Sequence, residues 1–267
     1  MSRNLHKYYY KDYFGEKPEE IFISDNRQGG RKENKSLDWT DIKSEENASI
    51  LKKRNTRLTE EGLLYKISKP VDTEDAFPLE IIYPGLVTGI GINHEATIEG
   101  EFKLGVHFDW TYGMPVIYGS SVKGVLRSYF KEFYNPQDGQ PSADDAFDDI
   151  FNGGKKSIYN RDIFFDAVLI QADKKGKGRI LCSDSITPHG DNPLKNPVPI
   201  TFLKIAPGCK LEFRFKLVPT EIVKDGKTLT LSEKDKLDLF KEILTTVGIG
   251  AKTNVGYGQL KSVKMKD

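Results

Sequence analysis

Residues 232 to 259 constrain the fold of this chain more than any other stretch, because they join an amphipathic helix directly to a glycine loop. Ser232 offers a side-chain oxygen for a helix N-cap, and Leu237, Phe240, Ile243, Leu244 and Val247 recur as one apolar stripe. Such a stripe has to be buried against a sheet or another helix. Immediately beyond it, Gly248, Gly250, Gly256 and Gly258 surround Lys252, Thr253, Asn254 and Tyr257. Glycine permits positive φ and close approach of the backbone to a ligand. Successive exposed N–H groups can form an anion-binding concavity. The loop is therefore expected to hold a phosphate-bearing ligand, with Gly248, Gly250, Lys252, Thr253, Asn254 and Tyr257 as its candidate residues, although a glycine-rich turn without a ligand has the same composition. It is not a Walker A loop: Ala251 precedes the lysine, and Val255 to Lys264 reads as a strand where that motif needs a helix.

A second arrangement of this kind begins after Pro115-Val-Ile-Tyr. Gly119, Ser120 and Ser121 precede an apolar face of Val122, Val125, Leu126, Tyr129, Phe130 and Phe133, so a helix is expected from about Ser121 with Ser120 or Ser121 as N-cap. Lys123 and Arg127 lie one turn apart on its other face. Unsatisfied first-turn amides, the helix dipole and an i, i+4 pair of cations favour an anion there. A capped surface helix without a ligand is the plainer alternative.

Around these two helices the pattern is β-rich. Phe77 to Gly91 reads as a strand ending in a glycine-punctuated loop, and Gly100 to Trp110 as a strand with Phe102, Leu104, Val106 and Phe108 on one face. Asp162 to Gln171 reads as another. Pro199 to Ile205 and Lys210 to Val218 read as antiparallel strands joined by Ala206-Pro-Gly. The order strand, helix, strands, helix, strand suits an α+β, ferredoxin-like split β-α-β sheet backed by two helices, with large insertions. Residues 1–76 are set apart as an N-terminal extension, and 77–267 as the main domain. The extension holds an aromatic cluster (Tyr8, Tyr9, Tyr10, Tyr13, Phe14), a polar run and helical periodicity near Ile50 to Leu64, with Lys52, Lys53, Arg54 and Arg57 between its apolar positions. The tyrosines suit base stacking, a subunit contact or the protein's own core. Within the main domain, 135–160 is an acidic, turn-rich insertion, and 183–198 is a proline-rich arm expected to project, with Thr187, Pro188 and His189 toward its tip.

Charge excludes little. Charged residues make up 30% of the 267, yet the net charge is +1, so a nucleic-acid surface has to be a local patch. Cys182 and Cys209 have neither metal spacing nor a disulfide framework, the acidic segment lacks an EF-hand pattern, and no metal or cofactor is expected. The start of the sequence has no apolar signal core and no run long enough to span a bilayer, so no membrane is expected and the location is read as cytoplasmic.

Taken in order, Tyr83-Pro-Gly-Leu-Val-Thr-Gly-Ile-Gly91, Phe102-Lys-Leu-Gly, Gly119-Ser-Ser-Val-Lys-Gly-Val-Leu-Arg127, Leu203-Lys-Ile-Ala-Pro-Gly208 and Gly248 to Gly258 resemble the RAMP superfamily of type III CRISPR–Cas systems. More narrowly, they resemble the family of sixth subunits of the type III-B (Cmr) effector complex, over about residues 77 to 265. The resemblance implies an RRM-like domain that caps the backbone at the crRNA 3′ end and contacts crRNA, target RNA and the adjoining RAMP subunits. It implies that Gly119, Ser120, Ser121, Lys123 and Arg127 meet crRNA phosphates, that Gly248 to Gly258 is the family's glycine loop, and that Thr187 to Pro197 acts as a thumb between base pairs. Target cleavage in this family belongs to an aspartate of another subunit. No motif here transfers that role, Asp109 and Asp184 being the nearest candidates, and a non-catalytic binding subunit is expected. The alternative is a metal-independent RAMP endoribonuclease processing crRNA precursors, with His107 or His189 as general acid or base.

Overall fold

A computed structural model of the chain describes residues 4–9, 13, 45–59, 75–88, 102, 105–111, 113–154, 156–173, 175, 178–187 and 200–263. Pro188, His189 and the rest of the arm's tip lie outside the described residues, as do Tyr10, Phe14 and the polar run after them. Four helices are used below: Glu45–Leu58 (α1), Gly119–Phe133 (α2), Ala143–Phe147 (α3) and Glu233–Val247 (α4). The strands are Ala76–Ile81 (β1), Val116–Ile117 (β2), Ile163–Phe164 (β3), Ala167–Gln171 (β4), Leu181–Ile186 (β5), Ile200–Ile205 (β6), Lys210–Lys216 (β7), Thr220–Lys224 (β8), Lys227–Leu231 (β9) and Leu260–Ser262 (β10).

Alternation builds the central sheet. Phe77, Leu79 and Ile81 of β1 and Leu211, Phe213 and Phe215 of β7 point to one buried face, in register through the pairs Phe77 with Phe213 and Leu79 with Leu211. The sheet runs β10-β1-β7-β4-β2, with every pair antiparallel. Its first four strands therefore follow the 4-1-3-2 order of a split β-α-β fold, and α2 and α4 pack against each other on the apolar face. Phe240 of α4 closes the core against Phe164 and Phe215, with ring centroids 5.8 and 5.4 Å away. Ser232 and Asp235 form a reciprocal capping box that fixes where α4 starts. The expected α+β architecture is observed.

Several local expectations are corrected. The region read as a strand from Gly100 to Trp110 forms no ladder among its described residues. Phe102, Val106 and Phe108 are buried, and the segment pairs only locally: Phe108 makes an isolated antiparallel bridge to Pro115, with Val116 N donating to His107 O at 2.9 Å and Asp109 N to Met114 O at 2.8 Å, while the amide of His107 donates to Thr88 Oγ1 at 2.6 Å. The strand read from Asp162 to Gln171 is broken at Phe165 and Asp166: β3 and β4 pair with the same edge of β7 on either side of the break. Pro199 to Ile205 does not pair with Lys210 to Val218. It pairs instead with β5, from Leu181 opposite Ile205 to Ile186 opposite Ile200, in a separate two-stranded sheet at the base of the arm. The final strand is shorter than Val255 to Met265, because Lys252, Gly256 and Gly258 adopt left-handed conformations and carry the chain through a 3-10 turn at Thr253–Val255 first.

The acidic segment is built into the fold. Ser142 caps α3, and a π-turn at Asp148–Asn152 follows, with Ala146, Ile150 and Phe151 in the core. Asp149 is only 7% exposed and accepts from Lys156 Nζ (2.8 Å) and Thr220 Oγ1 (2.5 Å). At the N-terminus, Tyr9 and Tyr13 belong to the same core: the Tyr9 hydroxyl donates to Phe102 O at 3.1 Å, and that of Tyr13 to Asn55 of α1. Of the basic residues on α1, Arg54 donates to Tyr13 O and Arg57 lies over the Tyr8 ring, while Lys52 and Lys53 are exposed.

Candidate nucleic-acid interface

The glycine loop follows α4 without a spacer, and most of its amides are bonded within the protein. Gly248 N donates to Leu244 O, Ile249 N to Gly258 O, Ala251 N to Val87 O and Gly258 N to Gly85 O, all between 2.8 and 3.1 Å. Val255, Gly256 and Tyr257 donate to carbonyls of Lys252 and Thr253. These bonds take up the amides on either side of the 3-10 turn and narrow the main-chain groups open to an anion to those of Gly250, Lys252, Thr253 and Asn254. The glycines serve close packing: a Cβ on Gly250 or Gly258 would fall inside contact of Val87 O or Ile249 O. What the loop offers outward is side chains. Asn254 is exposed, Lys252 and Thr253 are half-buried, and the Lys252 side chain has no hydrogen bond or ion pair with another described residue.

Tyr257 points back into a polar cluster that ties this loop to the base of the arm. Its hydroxyl donates to Asp184 Oδ2 at 2.7 Å, and Lys204 Nζ, from β6, lies 2.5 Å from the same oxygen. Lys204 Nζ is also 5.5 Å from the centre of the Tyr257 ring, which Phe202 meets edge-on at 5.8 Å. Burial alone would raise the Asp184 carboxyl, but hydrogen bonds from Lys204, Tyr257 and the Ser185 amide, with the lysine's charge, outweigh it and hold the group below its usual range. The Tyr257 phenol is pushed up to about 12 by burial and then by its bond to Asp184. Asp184 is thus an ionised acceptor between two donors. Thr187 is exposed at the end of the described part of the arm.

The second predicted site differs from expectation at its cap. α2 begins at Gly119, two residues before Ser121, with Tyr118 as N-cap and no side-chain oxygen from either serine in that role. The Gly119 amide donates to Asp166 Oδ1 at 2.7 Å, so a carboxylate from the break between β3 and β4 already takes one of the first-turn amides. Gly119 is required there because a Cβ would fall inside contact of Phe164 O. Ser120 and Ser121 are exposed. Lys123 Nζ lies over the Phe164 ring at 5.6 Å, whereas Arg127 donates to Asn152 Oδ1 at 2.9 Å and lies over Phe147 at 5.2 Å.

The sheet keeps these two groups apart. The glycine loop leads into Leu260, which pairs with Ile81 beside the Lys210 end of β7; Gly119 lies against Phe164, whose partner Phe215 is near the other end of β7. Strand rise and spacing put roughly 20–25 Å between these corners. His107 stacks on Tyr118 with ring centroids 4.7 Å apart, and Asp109 accepts from the Thr111 amide at 2.8 Å. Among the described residues, no group of three or more His, Cys, Asp or Glu side chains is placed to hold a metal ion, and no helix is long and apolar enough to cross a membrane. Sequence reasoning missed Lys204 and the Asp184–Tyr257 bond. The signal was the alternation in Leu181 to Ile186, which, paired with 200–205, puts Asp184 and Lys204 on one face as diagonal neighbours.

A family model described as the RAMP superfamily matches residues 78–261. A curated relative from Saccharolobus solfataricus, described as "CRISPR system CMR subunit Cmr6", is 28% identical over 169 residues, covering 62% of this chain and 51% of that protein. The chain therefore spans about half the length of the curated relative it matches. Among solved structures, Cmr6 from Pyrococcus furiosus is 21% identical, covering 70% of this chain and 97% of that one with a TM-score of 0.34. A chain of the type III-B Cmr-beta complex bound to cognate target RNA is 21% identical, covering 72% of this chain and 58% of that one with a TM-score of 0.48.

Proposed function

Since the chain belongs to the RAMP superfamily, we propose that it is a non-catalytic, RNA-binding structural subunit of a type III-B CRISPR effector complex. In this reading it caps the backbone at the crRNA 3′ end, contributes to binding of crRNA and target RNA, and contacts the backbone RAMP subunit and the neighbouring terminal RAMP subunit. The observation that carries the reading is the tie between the glycine loop and the arm, in which Tyr257 and Lys204 share Asp184. It supports a loop that grips a phosphate backbone through Lys252, Thr253 and Asn254 while the arm, with Thr187, Pro188 and His189, reaches the paired strands. Lys123 and Arg127, with Ser120 and Ser121, form a second phosphate contact on α2, where Asp166 already holds the Gly119 amide. The relative described as a CMR subunit supports the complex.

Contacts of this kind suit a guide of variable sequence. Side chains that meet phosphates position an RNA and leave its bases to pairing. The non-catalytic part of the reading is supported by Asp184, whose charge is held by two donors, and by His107, whose ring is stacked on Tyr118.

The test is co-purification from native cells with sequencing of the bound RNA, for wild type and for Lys123→Ala, Arg127→Ala, Lys252→Ala. Wild type is expected to bring down partner proteins and spacer-derived RNA, and the triple variant to lose the 3′ portion of the RNA or the subunit itself. A wild-type protein that is monomeric and free of RNA overturns the reading. Replacing His107 and His189 together by alanine is expected to change nothing; loss of RNA cleavage with binding intact would establish a nuclease instead.

A further inference from the structure

Tyr83 is a large aromatic side chain left 83% exposed, at a place where the surrounding backbone is fixed on both sides. Ile82 N donates to Gln259 O at 3.1 Å, Gly85 N to Ile82 O at 2.9 Å and Leu86 N to Ile205 O at 3.0 Å, so the turn that carries Tyr83 is tied to the glycine loop and to β6 together. Gly85 accepts this arrangement because a Cβ would come within 2.7 Å of Ile205 O. Burying a tyrosine gains free energy through its ring; this one is held away from the core on a backbone with little freedom to move.

Its neighbours decide what it suits. Pro84 Cδ lies 3.7 Å from the position a Cβ on Gly256 would take, so the Tyr83–Pro84 turn borders the tip of the glycine loop. The Tyr83 phenol is close enough to Tyr257 to help raise its pKa. Lys252 accepts the Tyr257 amide on its carbonyl at 3.2 Å, and its side chain has no hydrogen bond or ion pair with a described residue, so the loop that borders the Tyr83–Pro84 turn also carries an uncommitted ammonium. An exposed aromatic face next to a loop that carries a free cation is the combination that holds single-stranded nucleic acid: the ring stacks on a base of any identity while the cation meets the backbone phosphates.

Resting on the RNA-binding reading above, we infer that Tyr83 stacks on an unpaired RNA base at the mouth of the glycine loop. The ligand class is single-stranded RNA, and the contact is indifferent to sequence, because every base presents a π-face. Tyr83 makes no bond on which the fold depends, so its replacement leaves the glycine loop in place.

The test uses the full chain and a fluorescein-labelled 12-nucleotide oligouridine, against the same strand with abasic sites. Tyr83→Ala is expected to weaken binding of the oligouridine by about 5- to 100-fold, Tyr83→Phe to stay within about twofold of wild type, and thermal melting of both to match wild type. On the abasic strand, wild type and Tyr83→Ala are expected to bind alike. If Lys252→Ala weakens binding and Tyr83→Ala does not, the stacking inference fails while RNA binding stands; if wild type binds neither strand, both fail. If Tyr83→Ala keeps its affinity for the oligonucleotide but no longer co-purifies with partner subunits, the ring is a protein contact and the inference is overturned.

Discussion

Asp184 shows how one side chain can fix the relation between two loops. It joins β5 to the glycine loop by accepting from Tyr257 and Lys204, and Lys204 is only 7% exposed, so removing the carboxylate leaves a buried ammonium without its counter-charge. Asp184→Asn is expected to lower stability by about 1–3 kcal/mol, read from urea unfolding. Its pKa is depressed in the folded state, so its contribution is present above the unfolded value near 4 and is lost as pH falls through the folded value. Tyr257 has the opposite sign. With its folded pKa raised to about 12, its contribution is present below the unfolded value near 10 and is lost as pH rises toward 12. The unfolding midpoint of wild type should therefore fall at both acid and alkaline extremes, and Asp184→Asn should flatten the acid limb; an unchanged acid limb would mean that other carboxylates set it.

Among the elements, α4 was the most legible in the sequence and the hairpin before it the least. Ser232, Asp235 and the apolar stripe specify a helix through local chemistry alone, and the helix runs where that chemistry puts it. The β8–β9 hairpin went unread although Asp225 and Gly226, both with positive φ, are the turn residues such a hairpin needs, because its strands are short and mostly exposed and lack an apolar face. The partner of β6 was misassigned because a tight turn at Pro207 and Gly208 suggests a hairpin, whereas tertiary contacts place β6 and β7 in different sheets. The Asp166 carboxylate at the start of α2 was also beyond the sequence, since it arrives from 47 residues away. Behind α4, Lys236 Nζ bonds Asp162 Oδ2 at 2.7 Å and Val218 O at 2.6 Å, with both side chains almost wholly buried. Burial raises the Asp162 carboxyl and lowers the Lys236 ammonium, so desolvation opposes what the pair gains by attraction. Lys236→Met is expected to cost about 3–5 kcal/mol in urea unfolding, because it strands a buried carboxylate. Adding Asp162→Asn should recover part of that loss.

For the molecule as a whole, the separation of the two predicted phosphate contacts has a measurable result. Lys123 and Lys252 belong to different corners of the sheet, and sites that far apart act independently. Lys123→Ala and Lys252→Ala should each weaken RNA binding, their free-energy losses should add, and each should reduce the salt slope by about 0.7 for a single-stranded RNA. A double variant no weaker than the worse single one would mean that only one corner touches RNA. The sheet order bears equally on how the protein is made. β1 has β7 on one side and β10 on the other, and no strand between residues 81 and 210 pairs with it among the described residues. A ribosome adding about 5–20 residues per second needs roughly ten seconds to travel from the end of β1 to the start of β7. During that interval the nascent strand has neither of its sheet neighbours, so both of its edges stay open until β7 emerges.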